Sequence, residues 1–244
     1  MISLITVVFN SEKLIEKTIQ SVINQSYKDF EYIIIDGGST DGTTEIIKEY
    51  SDHIAFWSSK PDLGISDAFN KGISKATGEL IGIINAGDIL LDDALHSVYN
   101  SFTENNFDYL YANSVLRDIN DVDLRVLKPV KVVGFPYGGM PFQHSTLYIT
   151  RRAFALVGSY NINYNTAMDF EFYLRVLKMN LKSYYLDKNL TVYYRGGMSD
   201  QQYLSGNLEV ICASLTVQNV SFLLVIVNAL KNILKTFIRK VFKR

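Results

Sequence analysis

Apolar residues in this chain fall into two alternating patterns. Residues 2–9, ISLITVVF, form a continuous β-branched run that stops at Asn10-Ser11. Runs of the same kind recur at 30–35 (FEYIII), 54–59 (IAFWSS), 79–84 (ELIGII) and 107–113 (FDYLYAN). Short unbroken apolar runs suit strands buried on both faces. Between them the apolar positions recur at helical spacing. In 11–26, Leu14, Ile15, Ile19, Val22 and Ile23 make one stripe, and helices are also predicted over 43–50, 65–76 and 92–102. Asp41, in DGGSTDGT, is placed to cap the helix at 43–50. Strands alternating with helices predict parallel β-α-β units with right-handed crossovers. In such sheets ligands bind beyond the carboxyl ends of the strands. Asn10, Asp36 and the turn Asn85-Ala86-Gly87-Asp88 all fall at such ends.

The second half is less regular. GFPYGGMPFQHSTLYITRRAF places Pro136, Pro141 and three glycines around aromatic residues, then a strand and a short helix. TAMDFEFYLRVLKM is predicted helical, with Phe170, Leu174 and Leu177 on one face, and KSYYLD and LTVYYR read as strands. Composition narrows the picture. With 48% hydrophobic residues among 244, a full core is available and disorder is not expected. A net charge of −1 gives no case for nucleic-acid binding. One cysteine, Cys212, excludes an intramolecular disulfide and a thiolate zinc cage, and His53, His96 and His144 lack metal-ligand spacing. The apolar N-terminus has no basic leader region and is too short to span a bilayer, so it reads as the first strand.

The chain contains neither a G-x-x-x-x-G-K-[ST] loop nor a G-x-G-x-x-G after a strand, so the usual phosphate cradles are missing. It does contain an ordered series: ITVVFNS, IIIDGGSTDGT, GISDAFNKGISKATGELIGIINAGD, PFQHSTLYITRR and MDFEFYLR. This series resembles the family 2 glycosyltransferases, in the branch that makes bacterial surface polysaccharides, and the likeness covers roughly residues 1 to 200. It implies an α/β GT-A fold, Rossmann-like, with a mainly parallel central sheet and flanking helices. Residues 1–112 would form the nucleotide-sugar-binding half and 113–200 the acceptor-side half, followed by a helical extension over 201–244.

The resemblance also implies roles. Asn10, Asp36, Asp67, Asn70 and Asn85 would line the donor site, with Asp36 accepting hydrogen bonds from the base, and Arg195 would reach the diphosphate. Gln143 and His144 would line the sugar and acceptor pocket. The family usually shows two acids together in the turn at 85–88; here Gly87 precedes Asp88. Asp88 would hold Mn²⁺ or Mg²⁺, whose remaining positions are filled by phosphate and water. Asp169, in the first turn of its helix, matches the family's catalytic base, and the positive helix end is expected to stabilise its ionised form. The activity implied is inverting transfer from a nucleoside-diphosphate sugar to a glycan or lipid-linked acceptor. Two alternatives stay open at this point: a non-catalytic nucleotide-sugar- or partner-binding module, which Gly87 would favour, and a sugar-1-phosphate nucleotidyltransferase, which lacks its Gly-rich, Arg-containing loop here.

The end of the chain carries separate chemistry. Lys231, Lys235, Arg239 and Lys243 recur every four residues, while Leu230, Ile233, Leu234, Phe237 and Val241 make another face. A basic amphipathic helix of this kind suits an anionic membrane surface, and a docked terminal helix or dimer contact is the alternative. A cytoplasmic protein held at the inner face of the cell membrane is the expectation.

Overall fold

A computed structural model describes residues 1–118, 120–130, 139–194 and 203–218. The chain builds β1 (Ile2–Val8), α1 (Ile15–Ile23), β2 (Phe30–Asp36), α2 (Thr43–Glu49), β3 (Phe56–Ser59), α3 (Ile65–Lys75), β4 (Leu80–Asn85), β5 (Ile89–Leu90) and α4 (Ala94–Glu104). There follow β6 (Tyr109–Arg117), β7 (Asp123–Leu127), β8 (Tyr148–Thr150), α5 (Arg151–Val157), α6 (Met168–Lys178), β9 (Ser183–Tyr194) and α7 (Tyr203–Gln218). The strands form one sheet in the order β3-β2-β1-β4-β8-β6-β9-β5, with β7 paired to β6.

The two halves of the sheet differ in direction. β3, β2, β1 and β4 are parallel, as β-branched runs joined by helices require. β8 then runs antiparallel to both β4 and β6, β6 and β9 are parallel, and β5 is antiparallel to β9. The sheet is therefore parallel in its first four strands and mixed beyond them. The segments KSYYLD and LTVYYR join as the single strand β9. β7 carries no apolar run and lies exposed, so hydrophobic patterning could not reveal it.

Alternating side chains divide the core between the two faces of the sheet. Ile5, Val7, Ile33 and Ile35 point to the face covered by α3, α5, α6 and α7; Leu4, Val8, Tyr32 and Ile34 point to the face covered by α1, α2 and α4. On α1, Ile15, Ile19 and Val22 are fully buried, each stabilising by about 1.5–3 kcal/mol. Leu14, expected in that stripe, precedes the helix and is exposed, and Thr18 holds a buried place in it instead. Gly72 lets α3 lie close on the sheet, because a Cβ there would come within 2.5 Å of Ile5. α7 contributes Ala213 to the same core.

Candidate active site

Strand register brings the polar strand ends level. Val8 pairs with Asp36, Val7 with Asn85, and Asp36 with Ser59, so Asn10, Asp36 and Asn85 sit along one edge of the parallel half. At the usual strand spacing, Asp36 and Asn85 stand about 10 Å apart across β1. Asp36 is fully buried. Its carboxylate accepts the N–H groups of Gly38 (3.1 Å) and Ser39 (2.9 Å) and the hydroxyls of Ser39 and Ser59. Oδ2 takes three of these four bonds and Oδ1 the fourth. Asn10 accepts the Thr40 N–H at 2.9 Å through Oδ1, and its own N–H donates to the Ser39 hydroxyl at 2.7 Å. These two side chains tie the loop after β1 to the loop after β2. Asp41 accepts the N–H groups of Thr43 (3.1 Å) and Glu12 (3.2 Å), one residue ahead of the helix N-cap Gly42.

The turn after β4 is held from α1. Thr18 donates its hydroxyl to the Asp88 carbonyl at 2.8 Å and accepts the Gly87 N–H at 2.9 Å. One and two turns on, Ser21 accepts the Leu90 N–H, and Gln25 donates to the Leu91 carbonyl and accepts the Leu95 N–H. Thr18, Ser21 and Gln25 share one face of the chain that forms α1, and this polar stripe inside an amphipathic pattern is the signal that sequence reasoning missed. Gly87 has φ +101°, a conformation that L side chains rarely adopt. Its role is therefore turn geometry, since Leu14, at 3.4 Å, would leave a Cβ ordinary room.

Asp88 is 9% exposed, and burial pushes its carboxyl up to about 7, against the Ser145 hydroxyl and the Asn85 backbone, which favour the ionised form. Asn85 Oδ1 is buried with no hydrogen-bond partner. A desolvated carboxyl and an orphaned amide oxygen in one four-residue turn suit a hard divalent cation that takes its other ligands from phosphate and water. Among the described residues no three His, Cys, Asp or Glu side chains gather into a fuller cage. The turn therefore fits a shared metal and not one enclosed by protein.

Asp67 and Asn70 lie on α3 and are engaged within the fold. Asp67 accepts the Leu63 N–H at 3.1 Å and pairs with Lys71 at 2.9 Å. The Asn70 amide donates to the Tyr160 carbonyl (2.9 Å) and accepts the Tyr160 N–H (2.8 Å). Together with the Ser66 hydroxyl, which donates to the Tyr164 carbonyl at 2.6 Å, it fastens α3 to the segment leading into α6. That segment brings Asn165 against Gly64, where α3 begins.

Asp169 opens α6 at this junction. Asp169 is half-buried, and the helix end favours its ionised form as expected but is outweighed. Burial dominates and pushes its carboxyl up to about 6; the N–H groups of Phe170 and of Asp169 itself oppose this, and the negative charge of Glu209 adds to it. Glu171, two residues on, is buried and closed by Arg175, whose guanidinium also donates to the Val157 and Ser159 carbonyls. His144 is buried, lies parallel to Phe69 at 5.3 Å, and shares a 2.9 Å hydrogen bond between Nε2 and the Tyr160 hydroxyl. Burial pushes its imidazole down to about 4, so it is neutral at physiological pH. Its Nδ1 has no partner. The Asp169 charge in turn helps to raise the Tyr160 phenol, so His144, Tyr160 and Asp169 form one group. Gln143 precedes this group, its carbonyl accepting the Thr146 N–H and hydroxyl. Arg195 and the basic segment at 219–244, expected to be helical, lie outside the described residues.

The family model for Glycosyl transferase family 2 matches residues 3–175. The chain belongs to this family and is a glycosyltransferase. A relative, the putative glycosyltransferase EpsE of Bacillus subtilis, is 27% identical over 198 residues, covering 78% of this chain and 71% of its own. Solved structures share the GT-A fold at low identity. S. aureus TarS 1–349, in complex with UDP-GlcNAc, superposes with a TM-score of 0.67 at 16% identity, covering 92% of this chain and 69% of that one. The mannosyltransferase PcManGT of Pyrobaculum calidifontis, in complex with GDP-Man and Mn²⁺, gives 0.70 at 13% identity, covering 90% and 64%.

Proposed function

We propose that this glycosyltransferase moves a sugar, with inversion, from a nucleoside-diphosphate sugar to a hydroxyl of a glycan or lipid-linked oligosaccharide. The observation that carries the reading is the pair of desolvated carboxyls, Asp88 after β4 and Asp169 at the start of α6. α3, which begins at the ligand edge of the sheet, is fastened to the entry of α6 by Ser66 and Asn70, which holds that entry near the same edge.

In this reading the base lies along the edge formed by Asn10 and Asp36. Asp67 and Asn70 shape the wall of the donor site by holding the loop at 62–64 and the segment at 160, and Arg195 reaches the diphosphate. Asp88 and Asn85 would hold Mn²⁺ or Mg²⁺. Bound there with the diphosphate, the cation would offset the charge of the leaving group. Asp169 takes the proton of the acceptor hydroxyl; a carboxyl near 6 is charged at neutral pH and remains basic enough for that transfer. Neutral His144 and Tyr160 border this base, and His144 with Gln143 lines the sugar pocket. The basic helix at 219–244 lays the enzyme on the anionic inner face of the cell membrane, where a lipid-linked acceptor resides. No helix among the described residues is long and apolar enough to cross a membrane.

The test is a thermal-shift panel of UDP, GDP, dTDP and CMP, each with and without Mn²⁺, on the parent and Asp88→Ala. A matching nucleotide at 100 times its Kd stabilises by about 2.7 kcal/mol. The expected result is one nucleotide whose Mn²⁺-dependent part vanishes in Asp88→Ala. Equal metal dependence in both proteins would remove Asp88 from the metal site.

A further inference from the structure

α7 lies beyond the matched family region, which ends at residue 175. Its Glu209 nevertheless reaches the residues that open α6. One carboxylate oxygen accepts the N–H groups of Thr166 and Ala167, both at 2.8 Å, and the two oxygens share the N–H of Asn165 at 3.1 and 3.2 Å. Ala167 is the N-cap of α6 and has no side chain able to cap. A glutamate from another helix therefore supplies the anion that the start of α6 attracts. Its partners here are backbone N–H groups, with no cation among them.

The geometry points to Glu209 as a positioning residue for Asp169: it fixes the entry of α6 and brings a carboxylate close to the carboxyl two residues into that helix. This inference rests on the reading of Asp169 as the base. Among the described residues, the other groups around Asp169 bring little net charge. Glu171 on the same helix is paired with Arg175, and Tyr160, from the loop after α5, is neutral and bonded to neutral His144. Glu209 is the charge on α7 that acts on Asp169, and it acts in the direction that keeps the base from becoming too weak.

The experiment follows the Asp169 carboxyl carbon by NMR through a pH titration of the full chain, in the parent, Glu209→Gln and Glu209→Asp. The parent is expected to titrate near 6. Gln retains an oxygen for the N–H groups but no charge, so its midpoint should fall by about half a unit. That change roughly doubles the ionised fraction at pH 5.5. Asp keeps the charge on a shorter arm, so the midpoint should stay near the parent value while the melting temperature drops. An unmoved midpoint in Glu209→Gln, or equal shifts in both variants, overturns the inference. The base reading is scored separately, by sugar transfer in Asp169→Asn, and its failure leaves the titration result intact.

Discussion

Two parts of the ligand edge treat their carboxylates in opposite ways. On the β2 side, Asp36 is filled by its own loop and by Ser59 of β3, with two N–H groups and two hydroxyls on one buried carboxylate. On the β4 and α6 side, Asp88 and Asp169 are desolvated and underserved, and their protons are held up to about 7 and 6. A filled carboxylate fixes the shape of a loop. An unfilled one is costly to the empty protein and is relieved when a cation or a proton arrives. The first kind gives the edge its form, and the second gives it its chemistry.

Breaking the chemical side should have the largest effect. Asp169→Asn keeps size and hydrogen bonding but removes the proton acceptor, and turnover should fall by about 10²–10⁴-fold. Nucleotide binding measured by calorimetry should hardly change, so the loss appears in kcat. Near-parental transfer would exclude Asp169 as the base, and Glu171, closed by Arg175, could not replace it without breaking that pair.

Breaking the shape side should cost stability. Asp36→Ala strands two N–H groups and two hydroxyls, and denaturant unfolding should show a loss of about 2–4 kcal/mol. Asp88→Asn should do the reverse in metal-free buffer. The folded-state carboxyl is raised from an ordinary 3.8 to about 7, so the folded protein binds the extra proton. Its contribution is complete below about pH 4 and is lost as pH rises through 7. The asparagine variant has no such proton to lose. It should match the parent near pH 4 and exceed it at pH 8 by on the order of 4 kcal/mol. Mn²⁺ with the matching nucleotide should narrow the gap by stabilising the parent alone. A variant less stable than the parent at pH 8 would mean that Asp88 is a structural carboxylate like Asp36.

The sequence made one side of this comparison more legible than the other. Continuous runs such as ISLITVVF and FEYIII marked the parallel strands, and polar residues at their ends marked Asn10, Asp36 and Asn85. Those signals are local, because a run and its ending lie side by side in the chain. The reversal at β8 was not legible, since three residues cannot reveal which neighbours they pair with. Likewise hidden were the raised carboxyl of Asp169, which depends on burial by distant segments, and the grip of Asn70 on Tyr160, 90 residues away. Thr18 could have been found: a threonine within an apolar stripe needs a partner, and the Gly87 N–H is one of its two. Gly87 read as a missing acid, whereas its φ of +101° identifies a backbone requirement.

The smallest expected effect on the edge comes from removing residues 219–244. Both sides should keep their stability and nucleotide binding, because α7, which ends at Gln218, retains Glu209. What should disappear is binding to anionic vesicles, measured by co-sedimentation, and in the full chain that binding should weaken with salt. Full binding by the truncated protein would place the membrane contact elsewhere.

The pairing of β5 also bears on how the chain assembles. Ile89 and Leu90, directly after Asp88, pair with Val192 and Thr191, about a hundred residues later. Contacts so distant in sequence form late, since the long loop between them must first be ordered. On a growing chain the edge at Asn10 and Asp36 can therefore take shape while the Asp88 turn still awaits its strand. On the proposed reading, nucleotide binding should appear before metal dependence, which should be complete only after residue 192 has joined the sheet.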